Sequence, residues 1–352
     1  MRLPRGRLAG RERWTALAAG GTLLVLLVVL TLVQLPFTIW SAGELDDLYG
    51  SDGLVVSGVP TYPVSGHLQV AGMSVAGQTV SLGRALSAFS DPHQAVIPQF
   101  VDYPIGLPIP QVAVGQSTQE SLRAAEAAAV RQVGLPVERA PRVFSVLASG
   151  PSYGNLLVDD VIEAVGSTTV TSVAEFDQAM KTHSVGDTIQ LTVTRDGVRL
   201  DSQIDVVAQA SSTSGNEQPV PSLGVTLGDS YLLGGIDVSG APADIGAGLM
   251  VAIGVYDMLS GENLLGGVSV AGAGMLDANG VVSNVAGANE RLQAAEAATT
   301  DIFLLPQGNC VNVSLAGVEM RVIPVSSLGE ALSSLEVLKE LGPNGVVPSC
   351  PG

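Results

Sequence analysis

The sequence predicts a multidomain α+β protein with an N-terminal transmembrane helix, a small β-rich domain and a C-terminal α/β domain. Three observations predict it. No charged residue occurs between Trp14 and Gly43, and residues 16–35 are almost continuously aliphatic, long enough as one helix to cross a ~30 Å hydrocarbon layer. Residues 134–207 hold short apolar runs separated by turn residues, the clearest being the alternating Ile189-Gln190-Leu191-Thr192-Val193-Thr194-Arg195 before Asp196-Gly197. Beyond residue 222, long apolar segments such as IGAGLMVAIGVYDML at 245–259 alternate with strand-like ones such as Ile302-Phe303-Leu304-Leu305, the pattern of helices layered on a sheet.

The first element is read with its flanks. Arg2, Arg5, Arg7, Arg11 and Arg13 precede the apolar stretch, and Glu44, Asp46, Asp47 and Asp52 follow it. The positive-inside rule then makes residues 1–13 a cytoplasmic tail, 14–40 a single-pass anchor in a cell membrane, and the remainder extracytoplasmic. A cleaved signal peptide is the competing reading, with Ser41-Ala42-Gly43 as a weak cleavage site. The chain has 352 residues, room for about two domains at ~150 residues each. Its net charge is −17, from 16 Lys+Arg against 33 Asp+Glu, and beyond Arg13 the balance is 11 against 32. A nucleic-acid surface needs clustered cations, so nucleic acid is excluded as a partner. Only Lys181 and Lys339 are lysines, and the excess of Arg with abundant Ala, Gly and Val points to a GC-rich bacterial genome.

Residues 41–133 form a stem in this reading. Pro60, Pro63, Pro92, Pro98, Pro104, Pro108 and Pro110 interrupt short apolar runs, and an Ala-rich helix over 116–133 is closed by Gly134. Residues 208–222 lose apolar periodicity and gain Ser, Gln and Pro, which makes them a linker between the β-rich block at 134–207 and a last domain at 223–352. No G-x-x-x-x-G-K-[ST] occurs, so neither ATP nor another cofactor is expected. Cys310 and Cys350 are the only cysteines and lack the company a metal site requires. In an oxidising exterior they would form one disulfide, worth about 4 kcal/mol by the chain-entropy model; two free buried thiols are the alternative.

The order strand, turn, short strand, helix, hairpin across 134–207 resembles a bacterial-type PDZ domain. Val143-Phe144-Ser145-Val146, Asp160 with Ile162, and Arg195 before Gly197 fall on the pattern V-x-x-V, L-x-x-G-D-x-I and R-x-G, with Asp159 standing where the pattern has glycine. The resemblance implies capture of peptide or protein C-termini by strand addition, with Gly134, Leu135, Pro136 and Val137 as the loop whose amides hold the carboxylate. A β-domain serving only as a spacer is the alternative.

The last domain is similar to the Lon-type serine peptidase domain, and the whole chain resembles membrane-anchored bacterial Lon-like proteases that carry a PDZ domain. The family's G-P-S-A-G-L-M falls on Asp244-Ile245-Gly246-Ala247-Gly248-Leu249-Met250, and its A-G-T-G-T-I-D on residues 271–277. The family uses a Ser-Lys dyad. Gly246 stands at the serine position and Arg291 at the lysine position, so neither nucleophile nor neutral base is in place. Ala273 replaces a threonine of the neighbouring turn. The expectation is therefore a pseudoprotease that binds without cutting, alone or assembled with Lon-like relatives, with Arg291 paired to Asp244 in the vacated pocket. Asp244 could instead be a plain helix N-cap. The rival is an active serine endopeptidase using a displaced nucleophile, for which Ser239 and Ser283 are the candidates.

Overall fold

The computed structural model describes residues 10–77, 79–98, 111–195, 198–205, 207–209 and 220–350. Residues 1–9 of the expected basic tail and 210–219 of the expected linker lie outside the described residues. The chain divides into two compact units, Met1–Glu44 with Met73–Pro108, and Leu45–Gly72 with Ile109–Gly352. In chain order the first elements are α1 (Gly10–Leu32), β1 (Gln34–Leu35), β2 (Phe37–Asp47), β3 (Val55–Ser57), β4 (His67–Ala76), β5 (Val80–Ser81), α2 (Leu82–Phe89) and β6 (Gln94–Pro98).

In the smaller unit β1 pairs antiparallel with β5 and β2 with β6, Phe37 lying opposite Pro98. Ser81 caps α2 by accepting the Arg84 amide, and Ile39, Val80, Ala85 and Ala88 make a small core. The single spanning helix expected within residues 14–40 is corrected here: among the described residues no helix is long and apolar enough to cross a membrane. Two features set the limits of α1. Arg11, Glu12 and Arg13 lie inside its first turns, and the helix stops at Leu32 because Gln34 and Leu35 pair with Ser81 and Val80. The residues from Phe37 to Ser41, read as part of the same uncharged stretch, are strand.

The larger unit continues with α3 (Gln111–Gln132), β7 (Glu138–Val146), β8 (Val161–Val165), β9 (Thr168–Thr169), α4 (Val173–Met180), β10 (Thr188–Arg195), β11 (Val198–Asp205), β12 (Val207–Gln209), β13 (Val220–Ser222) and β14 (Val225–Leu232). Then come β15 (Asp237–Ser239), α5 (Gly248–Ser260), β16 (Ser269–Gly272), β17 (Met275–Leu276), β18 (Val282–Ser283), α6 (Ala288–Ala297), β19 (Ile302–Pro306), β20 (Arg321–Val325) and α7 (Leu328–Leu341).

Two sheets organise it. The first is antiparallel in the order β11-β10-β8-β7-β14, with β9 against β8. The alternation in β10 turns Ile189, Leu191 and Val193 into a core shared with Val143, Ile162, Phe176, Ile204 and Leu223, while Gln190 faces solvent. The second sheet is parallel in the order β20-β19-β16-β4, with Val270 between Leu68 and Ile302. Parallel neighbours need crossovers, and α6 supplies the one between β16 and β19. Leu249, Met250 and Ile253 of α5 pack with Leu68, Val270, Leu304 and Ile323 in its core.

Strand pairing departs from the linear domain plan in three places. β4, from the expected stem, is a strand of the parallel sheet. The described ends of the expected linker pair antiparallel, Ala208 opposite Pro221. β14, expected in the last domain, completes the antiparallel sheet by pairing with β7.

Candidate functional site

The centre formed by α5 and α6 is built from the start of α5. The apolar run expected as one helix from residue 245 turns helical only at Gly248, and Ala247 occupies the N-cap without any side-chain bond. Asp244 is therefore no N-cap. Its Oδ1 accepts the Gly246 amide at 2.6 Å and its carbonyl accepts the Ala247 amide at 3.0 Å, an Asx-type turn that feeds the chain into the helix. The Gly274 amide donates to the Gly246 carbonyl at 2.8 Å, and the Leu249 amide to the Gly274 carbonyl at 2.9 Å. These two bonds clip the first turn of α5 to the turn after β16.

Arg291 comes to this point from α6. A helical side chain leans toward its own N-terminus, so from one turn inside α6 the guanidinium reaches back over Gly287. Nε donates to the Ala286 carbonyl at 3.1 Å, Nη1 to the Ala71 carbonyl, and Nη2 to Asp244 Oδ1 at 2.9 Å. Arg291 is 1% exposed, the largest fully buried side chain described. A Cβ on Gly246 would stand 3.1 Å from Arg291 Cζ, from Nη1 and from Asp244 Oδ1. The structure thus brings Gly246, Arg291 and Asp244 together, with the guanidinium filling the space in front of residue 246. A guanidinium keeps its charge throughout the physiological range and cannot take a proton from a hydroxyl.

Other candidates lie elsewhere. Ser239 and Ser283 are exposed on β15 and β18. Lys339, on α7, donates to the Glu262 carbonyl. Ser121 of α3 is a residue the sequence reading missed: its Oγ is buried without a partner, 3.3 Å from where a Gly248 Cβ would be. Nothing local marks it, since a serine in an Ala-rich helix reads as an ordinary surface position. Further along α5, the buried Asp257 accepts the Tyr49 hydroxyl at 2.9 Å and the Leu264 amide at 2.7 Å. Burial pushes its carboxyl above the ordinary range, and the two donors partly offset that. Cys310 and Cys350 form a disulfide, buried beside Phe303 and Leu305.

The second region is the antiparallel sheet. Asp159 holds the left-handed backbone its pattern reserves for glycine, at φ +74°. An Asp tolerates that region better than most residues. Asp160, fully buried, receives Arg195 through Nε and Nη2, both at 2.7 Å, and accepts the Leu157 amide at 2.8 Å. This bidentate pair ties the end of β10 to the turn entering β8. Ser172 caps helix α4: its Oγ accepts the Glu175 amide at 3.2 Å, and the Glu175 carboxylate accepts the amide of the preceding Thr171 at 2.7 Å. These are the elements expected of a PDZ fold, in the expected order.

Residues 118–206 match the family model of the PDZ domain. This block is a PDZ domain. Solved structures similar to it include the PDZ domains of two SdrC-like proteins. That from Listeria monocytogenes is 23% identical over 25% of this chain and 86% of that one, with a TM-score of 0.22. That from Listeria innocua is 20% identical over 25% of this chain and 92% of that one, also with a TM-score of 0.22. No curated protein matches the chain.

The PDZ domain's expected carboxylate loop follows α3. Gly134, at φ +84°, donates its amide to the Arg131 carbonyl at 2.8 Å, and Leu135 donates to the Val130 carbonyl at 3.1 Å. Both amides therefore close the helix. Pro136 has no N–H, which leaves Val137 as the one residue of the four with an amide not spent on the helix or missing. The loop lacks the run of inward amides that a carboxylate nest requires.

Proposed function

We propose that this chain is a non-hydrolysing relative of the Lon-like proteases that carry a PDZ domain, working by protein binding or assembly in an oxidising, extracytoplasmic compartment. The observation that carries the reading is the Arg291 guanidinium lodged against Gly246 and paired with Asp244. Acyl transfer by a serine needs an oxygen to attack and a neutral base to receive its proton. Position 246 offers no oxygen, a side chain there would stand 3.1 Å from the guanidinium, and position 291 carries a cation that cannot act as a neutral base. The buried Cys310–Cys350 bridge supports the compartment, because such disulfides persist where glutathione and thioredoxin do not reduce them. The PDZ domain supports the binding role, since domains of this kind are protein-binding modules.

The test is chemical. The purified chain is incubated with an unfolded protein substrate and, separately, with a fluorophosphonate probe, alongside a Gly246→Ser, Arg291→Lys double variant. Native protein is expected to cleave nothing and take up no probe, while the double variant is labelled at position 246. Labelling of the native chain at any serine, Ser121 included, would overturn the reading.

A further inference from the structure

We infer that the cavity between the last turn of α3 and the residues that open α7 is a binding site for a small oxyanion, a carboxylate or phosphate group, held by Arg131. The inference goes beyond the reading above and stands whether or not the α5 centre hydrolyses anything. The cavity has a volume of about 490 Å³, inside the ~300–1,000 Å³ range of small-molecule sites. One wall is Ala128, Arg131 and Gln132 of α3, a second is the turn at residues 278–280, and a third is Ser327 with the two residues after it. Among the described residues, Arg131 is the one charged side chain in this lining.

The guanidinium is held in place without being neutralised. It lies over the Tyr231 ring, 5.4 Å from the centroid, and Nη1 donates to the Ala278 carbonyl. Stacking and one carbonyl fix its plane, while Nε and Nη2 have no partner among the described residues. Arg123, Arg142, Arg195 and Arg291 each have a carboxylate oxygen close by, at 2.9, 3.2, 2.7 and 2.9 Å. The chain holds 33 Asp+Glu against 16 Lys+Arg, yet no described carboxylate pairs with the half-buried Arg131. The acids of the two facing turns are engaged elsewhere. Asp277 Oδ1 accepts the Asn279 and Val281 amides at 2.9 and 2.8 Å, and Glu330 Oε2 accepts the Ser326 amide at 2.8 Å and its hydroxyl at 2.6 Å. Ser327 Oγ accepts the Glu330 amide at 3.2 Å, which leaves its hydroxyl proton to donate to a ligand oxygen. A fixed fork of donors with its charge intact, in a polar cavity, is matched by a group that brings two acceptor oxygens and a negative charge.

The test titrates the full chain with sodium phosphate and, separately, sodium acetate, at an ionic strength held constant with chloride, and follows the melting temperature and the phosphorus NMR linewidth. Native protein is expected to bind at least one of the two saturably, on the order of millimolar for so small a ligand. A response to phosphate alone identifies a phosphate-bearing ligand, and one to acetate alone a carboxylate. Arg131→Gln should weaken the binding at least about tenfold, because it removes a charged donor. That variant also gives up the Ala278 bond and the Tyr231 stack, so Gly329→Leu is the second arm. A Cβ on Gly329 meets nothing within 4 Å, and the larger side chain takes up cavity space while Arg131 stays in place. It should weaken the same binding by a similar factor, and it decides alone if Arg131→Gln does not fold. No saturable response of native protein to either anion would overturn the inference. Binding that survives undiminished in Gly329→Leu or in folded Arg131→Gln would also overturn it, as an adventitious ion only.

Discussion

The start of α5 and the edge of β7 beside β14 are both filled by other parts of this chain. They are filled by different means. At α5 the occupant is one side chain, Arg291, holding two carbonyls and one carboxylate. At β7 it is eight residues of backbone, with side-chain bonds at the ends and a glycine in the middle. A single-residue plug concentrates its stabilisation in one position and fails with one substitution. A strand spreads it over a ladder, so most substitutions in it are absorbed and only shape conflicts matter.

Arg291→Met is the strongest way to break that contrast. It leaves the Asp244 carboxylate with the Gly246 amide but no cation, and two carbonyls without the guanidinium, while roughly keeping the volume, at a cost of about 3 kcal/mol in chemical denaturation. A double variant with Asp244→Ala should lose less than the sum of the two singles, because the pair shares one interaction. Losses that simply add would show that the two side chains are not energetically coupled. Ser172→Ala tests the spread-out region: it removes the cap of α4, next to the Asp229–Val173 bond, and should cost about 1 kcal/mol with no cooperative loss of β14 protection. Loss of the whole β14–β7 ladder from this one cap would erase the distinction between the two regions.

The smallest effect sharpens the α5 side. Burial raises the Asp257 carboxyl, so the folded state holds its proton more tightly than the unfolded chain. The stability this group contributes is complete below the ordinary carboxylate range of about 3.9 and is lost as pH rises through the raised value. Asp257→Asn does not titrate. The melting temperature of native protein minus that of the variant should fall as pH is raised from about 4 toward neutrality; a difference that grows would contradict the direction.

How much of this was legible in the sequence depends on how local each signal is. The strand β10 is visible in residues 189–195 because alternation acts over a few residues. The meeting of Gly246, Asp244 and Arg291 was legible through the motif that aligns them. Its third support was not, since the Ala71 carbonyl is main chain, carries no residue signature, and lies 220 positions earlier. The membership of β14 was equally hidden. Residues after 222 read as part of the last domain, and the choice of β7 as partner is settled by long-range packing around Gly228. The apolar stretch near the N-terminus misled for a related reason: composition alone does not reveal that Gln34 and Leu35 leave the helix to pair with residues near 80.

Asn309 gives the disulfide a reach beyond the tail it fastens. Its side chain accepts the Val285 amide and returns a bond to the Val285 carbonyl, both at 3.0 Å, bracing the peptide next to Ala286, whose carbonyl receives Arg291. Its neighbour in sequence is Cys310. A thiol reductant applied to the folded protein thus acts one residue away from the brace behind the buried cation, so the bridge steadies the Arg291 contacts as well as the tail.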